Sequence, residues 1–454
     1  MRLPRGHVRR ADRRGRRCAA PHARERLRRA HRGRRPAGRD VSPPGGAHVI
    51  VGASTAGATA AATLRQEGVD APVVLLGAEP HPPYERPPLS TGYLQGKTSL
   101  EQLWLRPAGF WQEHGIDLRT GVAATRVDAL GQVVELADGT REPYERLLIA
   151  TGGRNRRPPI PGFELEGVCD LRHVADADAI RRRAEPGARA VVVGLGFIGC
   201  EVTASLRARG LEVTAVEPQP TPLAQVLGED VGAVVAGLHR EHGVQLALGD
   251  AVDHFDGDGA IEAVVTRQGH RLACDLAVVG LGLEPATEII ADTDVAVDDG
   301  IVVDEHARSS VPGIYAAGDV ARHWHPLLGR FVRVEHWQHA LKHGAAAARA
   351  MAGGGEPFTD VPWFWSDQYD TTIQYAGAPA EWDQLVLRGD VAARQFSGFY
   401  LDQGRLQGVV AVNRPRDVRA GMRLIAAGGA VDPRQLADED VDLGRLARRG
   451  GPAG

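Results

Sequence analysis

The chain has only four cysteines among 454 residues, and Cys18, Cys169, Cys200 and Cys274 lie far apart in sequence. There is no C-x-x-C, which argues against a local redox disulfide and a local zinc knuckle. No apolar run reaches the roughly 20 residues that a helix needs to span a bilayer. The N-terminus has no apolar signal core, so a cytoplasmic enzyme is expected. The carboxylates and histidines show no nucleophile triad and no metal-ligand spacing, so no metal is expected. The two histidines of "RHWHP" (Arg322–Pro326) stand i,i+2 beside a proline and read as a polar surface loop.

A net charge of −3 hides an asymmetry. Residues 1–40 hold 16 arginines and three acidic residues, whereas the remainder holds 38 basic and 54 acidic residues. The arginine-rich segment has almost no apolar content, so residues 1–45 are expected to be a disordered extension. It reads either as an arm for RNA or a membrane surface, or as sequence upstream of a start at Val41. The second reading is preferred.

What is present is a repeated grammar. "HVIVGASTAGATAA" (His48–Ala61) passes from a buried strand through a glycine turn into a helix, and "APVVLLGAE" supplies the next strand. The dinucleotide pattern G-x-G-x-x-G is imperfect here, because Gly52 and Gly57 are present but Ser54 takes the middle place. The same grammar recurs from Ala188 to Pro218, now with all three glycines, Gly194, Gly196 and Gly199. There the first glycine permits the turn, the second lets a pyrophosphate approach the backbone, and the third lets helix and sheet pack closely. Glu217 follows at the next strand end, where a carboxylate accepts from ribose hydroxyls and repels a 2′-phosphate, favouring NADH over NADPH. "IATGG" (Ile149–Gly153) and "GIYAAGDVA" (Gly313–Ala321) each end a buried strand in a glycine turn, placing Asp319 at such a turn beside the next helix. "QVVELADGTREPYERLLIATGG" reads as a hairpin about Asp138-Gly139 followed by a buried strand. From Val361 the pattern changes to short alternating strands. The fold class is therefore α/β, with two Rossmann-like dinucleotide-binding units and a small C-terminal α+β unit. The expected boundaries are 46–154 with 291–352 for a discontinuous first dinucleotide unit, 155–290 for the second, 355–443 for the C-terminal unit and 444–454 for a tail.

"PYERPPLS" (Pro83–Ser90), "GFIGCE" (Gly196–Glu201), "VEHWQHA" (Val334–Ala340), "PWFWSDQYD" (Pro362–Asp370) and "VNRPRD" (Val412–Asp417) join these glycine turns. Together they resemble the FAD-dependent NADH:ferredoxin reductases, glutathione-reductase-like flavoproteins that lack the redox disulfide. The resemblance covers about Ala47 to Leu443. It implies a flow of electrons from NADH through FAD to a small iron–sulfur ferredoxin that serves a cytochrome P450 or a Rieske oxygenase. It further implies that Gly52, Ser54, Ala56, Gly57, Glu79, Arg86, Thr91, Ala124, Thr151, Gly152, Arg172, Gly318, Asp319 and Trp337 line the FAD site. Gly194, Gly196, Ile198, Gly199, Glu217, Gly280 and Gly282 would line the NADH site. Glu201 and Glu335 would help place the nicotinamide, Trp337 would lie against the flavin, and Trp363, Trp365 and Gln368 would close the pocket. No nucleic acid or membrane partner is implied.

Three positions depart from the family pattern. Thr91 stands where lysine is usual, His339 where asparagine is common, and Ala286 where asparagine often follows the "GxxP" turn. Thr91 removes a cation that would tune the flavin. Two alternatives therefore stay open: an NADH oxidase or quinone reductase on the same scaffold, or a catalytically weak flavoprotein. Cys200, at the start of the second helix, reads as a packing residue.

Overall fold

The computed structural model describes residues 46–449. The expectations for residues 1–45 and 450–454 lie outside the described residues.

Apolar β-branched runs bounded by glycine build two parallel sheets. In the first, β1 (His48–Val51) feeds α1 (Thr55–Gln66), and β2 (Val73–Gly77), β3 (Ile116–Thr120) and β4 (Arg146–Ile149) follow. In the second, β5 (Arg189–Val193) feeds α2 (Phe197–Ala208), followed by β6 (Glu212–Glu217) and β7 (Leu276–Val279). The chain then returns to the first sheet with β8 (Ile314–Ala316), giving the order β8-β4-β1-β2-β3. In the second sheet, β6, β5 and β7 are flanked by Gln245–Leu248 and Val168–Asp170. Every pairing in both sheets is parallel. Both faces of each central strand are therefore covered, which is why β1 and β5 read as unbroken apolar runs.

Four elements follow. These are β9 (Ala321–His325), its partner strand Arg330–Arg333, α3 (Trp337–Met351) and β10 (Trp363–Gln368). The chain continues through β11 (Thr371–Gly377), β12 (Gln384–Asp390), β13 (Gln395–Asp402), β14 (Arg405–Val412) and α4 (Pro415–Ala427) to two short helices, Pro433–Ala437 and Leu443–Arg449. These last strands form an antiparallel sheet ordered β10-β11-β14-β13-β12. Phe364, Tyr375, Phe396 and Tyr400 share one buried cluster with Val192, Leu206 and Leu227, so this sheet is packed firmly on the second. The Tyr400 hydroxyl also donates to the Leu227 carbonyl at 2.8 Å.

Two expectations need correction. "RHWHP" is not a surface loop: it forms β9, and His323 and His325 are both fully buried. Alternate residues of a strand share a face, so the i,i+2 pair turns inward together while Trp324 packs on Phe331 on the other face. Asp319, as expected, lies at a turn beside the next helix: a short 3-10 turn (Gly318–Val320) leads into β9 and packs against α3. Residues 444–449, expected as tail, belong to the helix Leu443–Arg449, because Leu443 and Ala447 share an apolar face and bury it against α4. None of the described helices is long and apolar enough to cross a membrane.

Packing of α1 on α3 brings the first glycine turn against late parts of the chain. A Cβ on Gly344 would lie 2.2 Å from the Ala56 carbonyl oxygen. Backbone cannot yield there as a flexible side chain would, so Gly344→Ala must push the two helices apart. The expected cost is about 1–3 kcal/mol, read as a lower midpoint in urea unfolding with an unchanged slope.

Candidate functional site

Each parallel sheet ends in a tight cradle. Gly52 adopts φ +112°, and a Cβ there would lie 2.2 Å from the Ala150 oxygen. A Cβ on Gly57 would meet the Gly52 oxygen at 1.9 Å. Gly194 (φ +91°) and Gly199 repeat both contacts, against the oxygens of Gly280 at 2.4 Å and Gly194 at 1.9 Å. The middle positions differ in kind. Ser54 (φ −106°) and Gly196 (φ −71°) both have backbone that any residue adopts, so serine is tolerated. A Cβ on Gly196 meets nothing within 4 Å, leaving open space before α2.

Both helices present bare N-termini. Neither α1 nor α2 has a side-chain cap or an acidic residue in its first turn. Unpaired N–H groups and the helix dipole there suit an anion, so each cradle fits a dinucleotide pyrophosphate. Beyond the second cradle, Glu217 is held by the amides of Leu195 at 2.7 Å and Gln219 at 2.9 Å. Its two oxygens are thereby fixed at the strand end with lone pairs to spare. Ile198, in the first turn of α2, is 48 % exposed, which is unusual for an isoleucine. Gly282 (φ +90°) completes the adjoining turn.

Around the first cradle the expected residues form one connected chain. Arg86 pairs with Glu79 at 2.7 Å, donates Nε–H to Ser54 Oγ at 3.2 Å, and donates to the Arg172 carbonyl. Arg172 in turn pairs with Asp319 at 3.0 Å, and its guanidinium lies over Gly152. Gly318 (φ +77°) backs onto Ala56 and Ala340. Tyr84, which the sequence reading passed over, bonds Glu79 from the same loop. Thr151 is used differently: its hydroxyl donates to the Ala286 carbonyl at 2.7 Å, and the Ala286 amide donates to the Gly152 oxygen at 3.0 Å. Residue 286 thus meets the Ile149–Gly153 turn through backbone alone. Ala124 starts a strand just after Gly121 and Val122, whose amides bind the Glu79 and Gly77 oxygens. Thr91 only donates weakly to the Pro87 carbonyl, at 3.4 Å.

At the far end, Trp337 opens α3 edge-to-face with Trp365, ring centres 6.0 Å apart, and Trp363 stacks on Trp365. The Trp337 indole N–H is buried without a partner. Strand alternation places Phe364, Ser366 and Gln368 on the opposite, buried face of β10. Gln368 therefore leaves the tryptophans and joins another group, donating to Ser366 Oγ at 3.2 Å. Phe364 packs on both Phe197 and His336, tying the starts of α2 and α3 together. Glu335 is exposed and pairs with Arg333 at 2.5 Å.

Glu201 is the group on which this end converges. Ser90 Oγ donates to one carboxylate oxygen at 2.5 Å and Ser366 Oγ to the other at 2.7 Å. Ser90 and Ser366 were not singled out from sequence, although both lie inside quoted motifs. Burial pushes the Glu201 pKa up to about 7, and the two serines only partly offset this.

The family described as pyridine nucleotide-disulphide oxidoreductase matches residues 46–344. The chain belongs to this family. A second model, described as reductase C-terminal, matches residues 363–447. Rhodocoxin reductase of Rhodococcus erythropolis is 40 % identical over 396 residues, covering 87 % of this chain and 93 % of that protein. The ferredoxin–NAD(+) reductase component of the anthranilate 1,2-dioxygenase system of Burkholderia cepacia is 42 % identical over 402 residues, covering 87 % and 98 %. The reductase in the crystal structure of the covalent putidaredoxin reductase–putidaredoxin complex superposes with a TM-score of 0.87 at 35 % identity, covering 90 % of this chain and 99 % of that one. Within this oxidoreductase family, the cradles described above fit FAD and NADH.

The raised pKa of Glu201 carries a pH dependence. Between about 4.5 and about 7 the folded chain holds a proton that the unfolded chain has released. This stabilising contribution is full below the unfolded pKa and is lost as pH rises through the folded value. It is on the order of 3 kcal/mol. Unfolding free energy measured across this range should fall more steeply with pH in the parent than in Glu201→Gln, which keeps the shape without the titration.

Proposed function

We propose that the chain carries electrons from NADH through FAD to a [2Fe–2S] or similar ferredoxin that serves a P450 or Rieske oxygenase. The observation that carries this reading is the pairing of two bare helix N-termini with an aromatic end that has no disulfide. Among the described residues, Cys169, Cys200 and Cys274 are unpaired. Burial drives the Cys200 thiol well above its ordinary pKa, so it is a packing group and not an electron acceptor. Electrons must then leave for a partner. The dioxygenase system named for the Burkholderia cepacia relative supports the same direction.

FAD supplies the exchange between two-electron chemistry at NADH and one-electron chemistry at an iron–sulfur centre. The protein's part is to bind, orient and exclude water. In this reading α1, Gly52, Ser54, Ala56 and Gly57 hold the FAD pyrophosphate, with Glu79, Arg86, Thr91, Ala124, Thr151, Gly152, Arg172, Gly318 and Asp319 along its length. Gly194, Gly196, Ile198, Gly199, Glu217, Gly280 and Gly282 hold NADH. Trp337, Trp363 and Trp365 shield the reacting end from solvent and offer the ferredoxin an apolar landing face. Glu201 keeps a proton at its carboxyl near neutral pH, which lets it sit buried beside the nicotinamide without a countercharge. Glu335, already paired with Arg333, sets the other side of that pocket. The units divide as 46–154 with 291–352, 155–290, and 355–449, the last extended by the terminal helix. A cytoplasmic location belongs to the same proposal.

The test is ferredoxin-dependent reduction of cytochrome c by the purified flavoprotein. NADH should support it well over tenfold better than NADPH, and Glu217→Ala should narrow that gap by raising the NADPH rate. Oxygen consumption at the full NADH oxidation rate, with ferredoxin adding nothing, would select the oxidase reading instead. Thr91→Lys should raise the flavin midpoint potential in a redox titration, because a nearby cation favours the reduced, more negative cofactor. An unchanged potential would place residue 91 away from the flavin.

A further inference from the structure

Four histidines gather behind the Gly318–Asp319 turn. His323 and His325 come from β9, and His339 and His343 from α3. Each pair shares one face, by the two-residue period of a strand and the i,i+4 spacing of a helix. None is more than 3 % exposed. The ring of His323 lies 4.9 Å from that of His339 and 4.7 Å from that of His343, centre to centre, and the latter two are 5.2 Å apart. One ring nitrogen from each of these three lies within 4.8 Å of the others.

What marks this cluster is unmet hydrogen bonding. Both ring nitrogens of His323, Nε2 of His339 and Nε2 of His343 are buried without a partner. Native interiors rarely leave such atoms unpaired, and here one nitrogen from each of three rings converges. His325 stands apart, bonding the Asp360 carbonyl through Nε2 at 3.0 Å and accepting from the Leu328 amide at 3.3 Å. Burial and mutual repulsion keep His323, His339 and His343 neutral, the form whose lone pair binds a metal. A small cleft lined by Gln338, His339, Lys342, Phe358, Asp360 and Trp363 borders the cluster at His339.

We propose that His323, His339 and His343 bind one divalent first-row transition ion, Zn²⁺ foremost, and that the ion ties β9 to α3. Three imidazoles in a closed pocket suit this class, and zinc accepts three histidines with a fourth, non-protein position. No thiolate or carboxylate belongs to the cluster that would favour a softer or harder ion. Coordination through His343 Nε2 puts the ring proton on Nδ1. Loading therefore breaks the long 3.4 Å contact from the Gly318 amide to that atom, so the ion is felt at the turn beside Asp319. The i,i+4 pair was present in the sequence, but its partner on β9 was hidden by reading that strand as a loop.

The full chain, stripped with a chelator and dialysed, is titrated with Zn²⁺ beside His339→Asn and His343→Gln. The parent should retain one zinc equivalent more than either variant by elemental analysis. Zn²⁺ should also raise the melting temperature of the parent by several degrees while leaving the variants at their metal-free values. Equal stoichiometry in all three proteins, or an unmoved parent melting temperature, overturns the proposal and leaves a neutral histidine core packed on Phe358. Should both variants fail to fold, Co²⁺ replaces Zn²⁺ in the parent. A d–d absorption band in the cobalt-minus-zinc difference spectrum, of tetrahedral intensity, supports the site, and its absence overturns it.

Discussion

The Glu201 carboxyl is the point at which three parts of the chain are forced to agree. Its oxygens take hydroxyls from Ser90, in the proline-rich loop after β2, and from Ser366, on the C-terminal sheet, while Glu201 itself sits on α2. A buried carboxylate without a cation is costly unless hydrogen-bonded or protonated, and here both remedies are used. Ser205 donates in turn to the Ser90 carbonyl at 2.7 Å, and Gln95 to Ser205 at 3.0 Å. The loop, helix and strand are thus locked to one another through polar groups that tolerate little displacement. The tryptophans on the opposite face of β10 inherit their position from this lock.

The two cradles use one piece of backbone physics for two ends. In each, a glycine of positive φ and a second glycine pressed on its carbonyl bring a helix N-terminus to the strand ends. The difference lies in what surrounds them. The second opens onto free space at Gly196, with one oriented carboxylate, Glu217. The first is lined by a charged chain from Glu79 to Asp319 that draws on distant parts of the sequence. An extended cofactor needs many lateral partners along its length, whereas a dinucleotide that must enter and leave needs few.

Much of this was legible in the sequence because the parallel strands are covered on both faces and so read as plain apolar runs. The glycine turns announced themselves for steric reasons. Other features depended on facts that no local pattern holds. The Arg172–Asp319 pair spans 147 positions. Ser366 and Gln368 could be separated from Trp363 and Trp365 only once β10 was known to be a strand, since alternation then sorts them onto opposite faces. His323 and His325 were misplaced for the same reason: Pro326 suggested a loop, and a loop has no faces.

The central claim is that reducing power enters from NADH and leaves through a ferredoxin. Anaerobic rapid mixing tests it most directly. NADH should bleach the flavin absorbance within the turnover time, and oxidised ferredoxin added next should restore it while becoming reduced in matching electron equivalents. A flavin that stays oxidised with NADH, or one that recovers only when oxygen is admitted, would contradict the account.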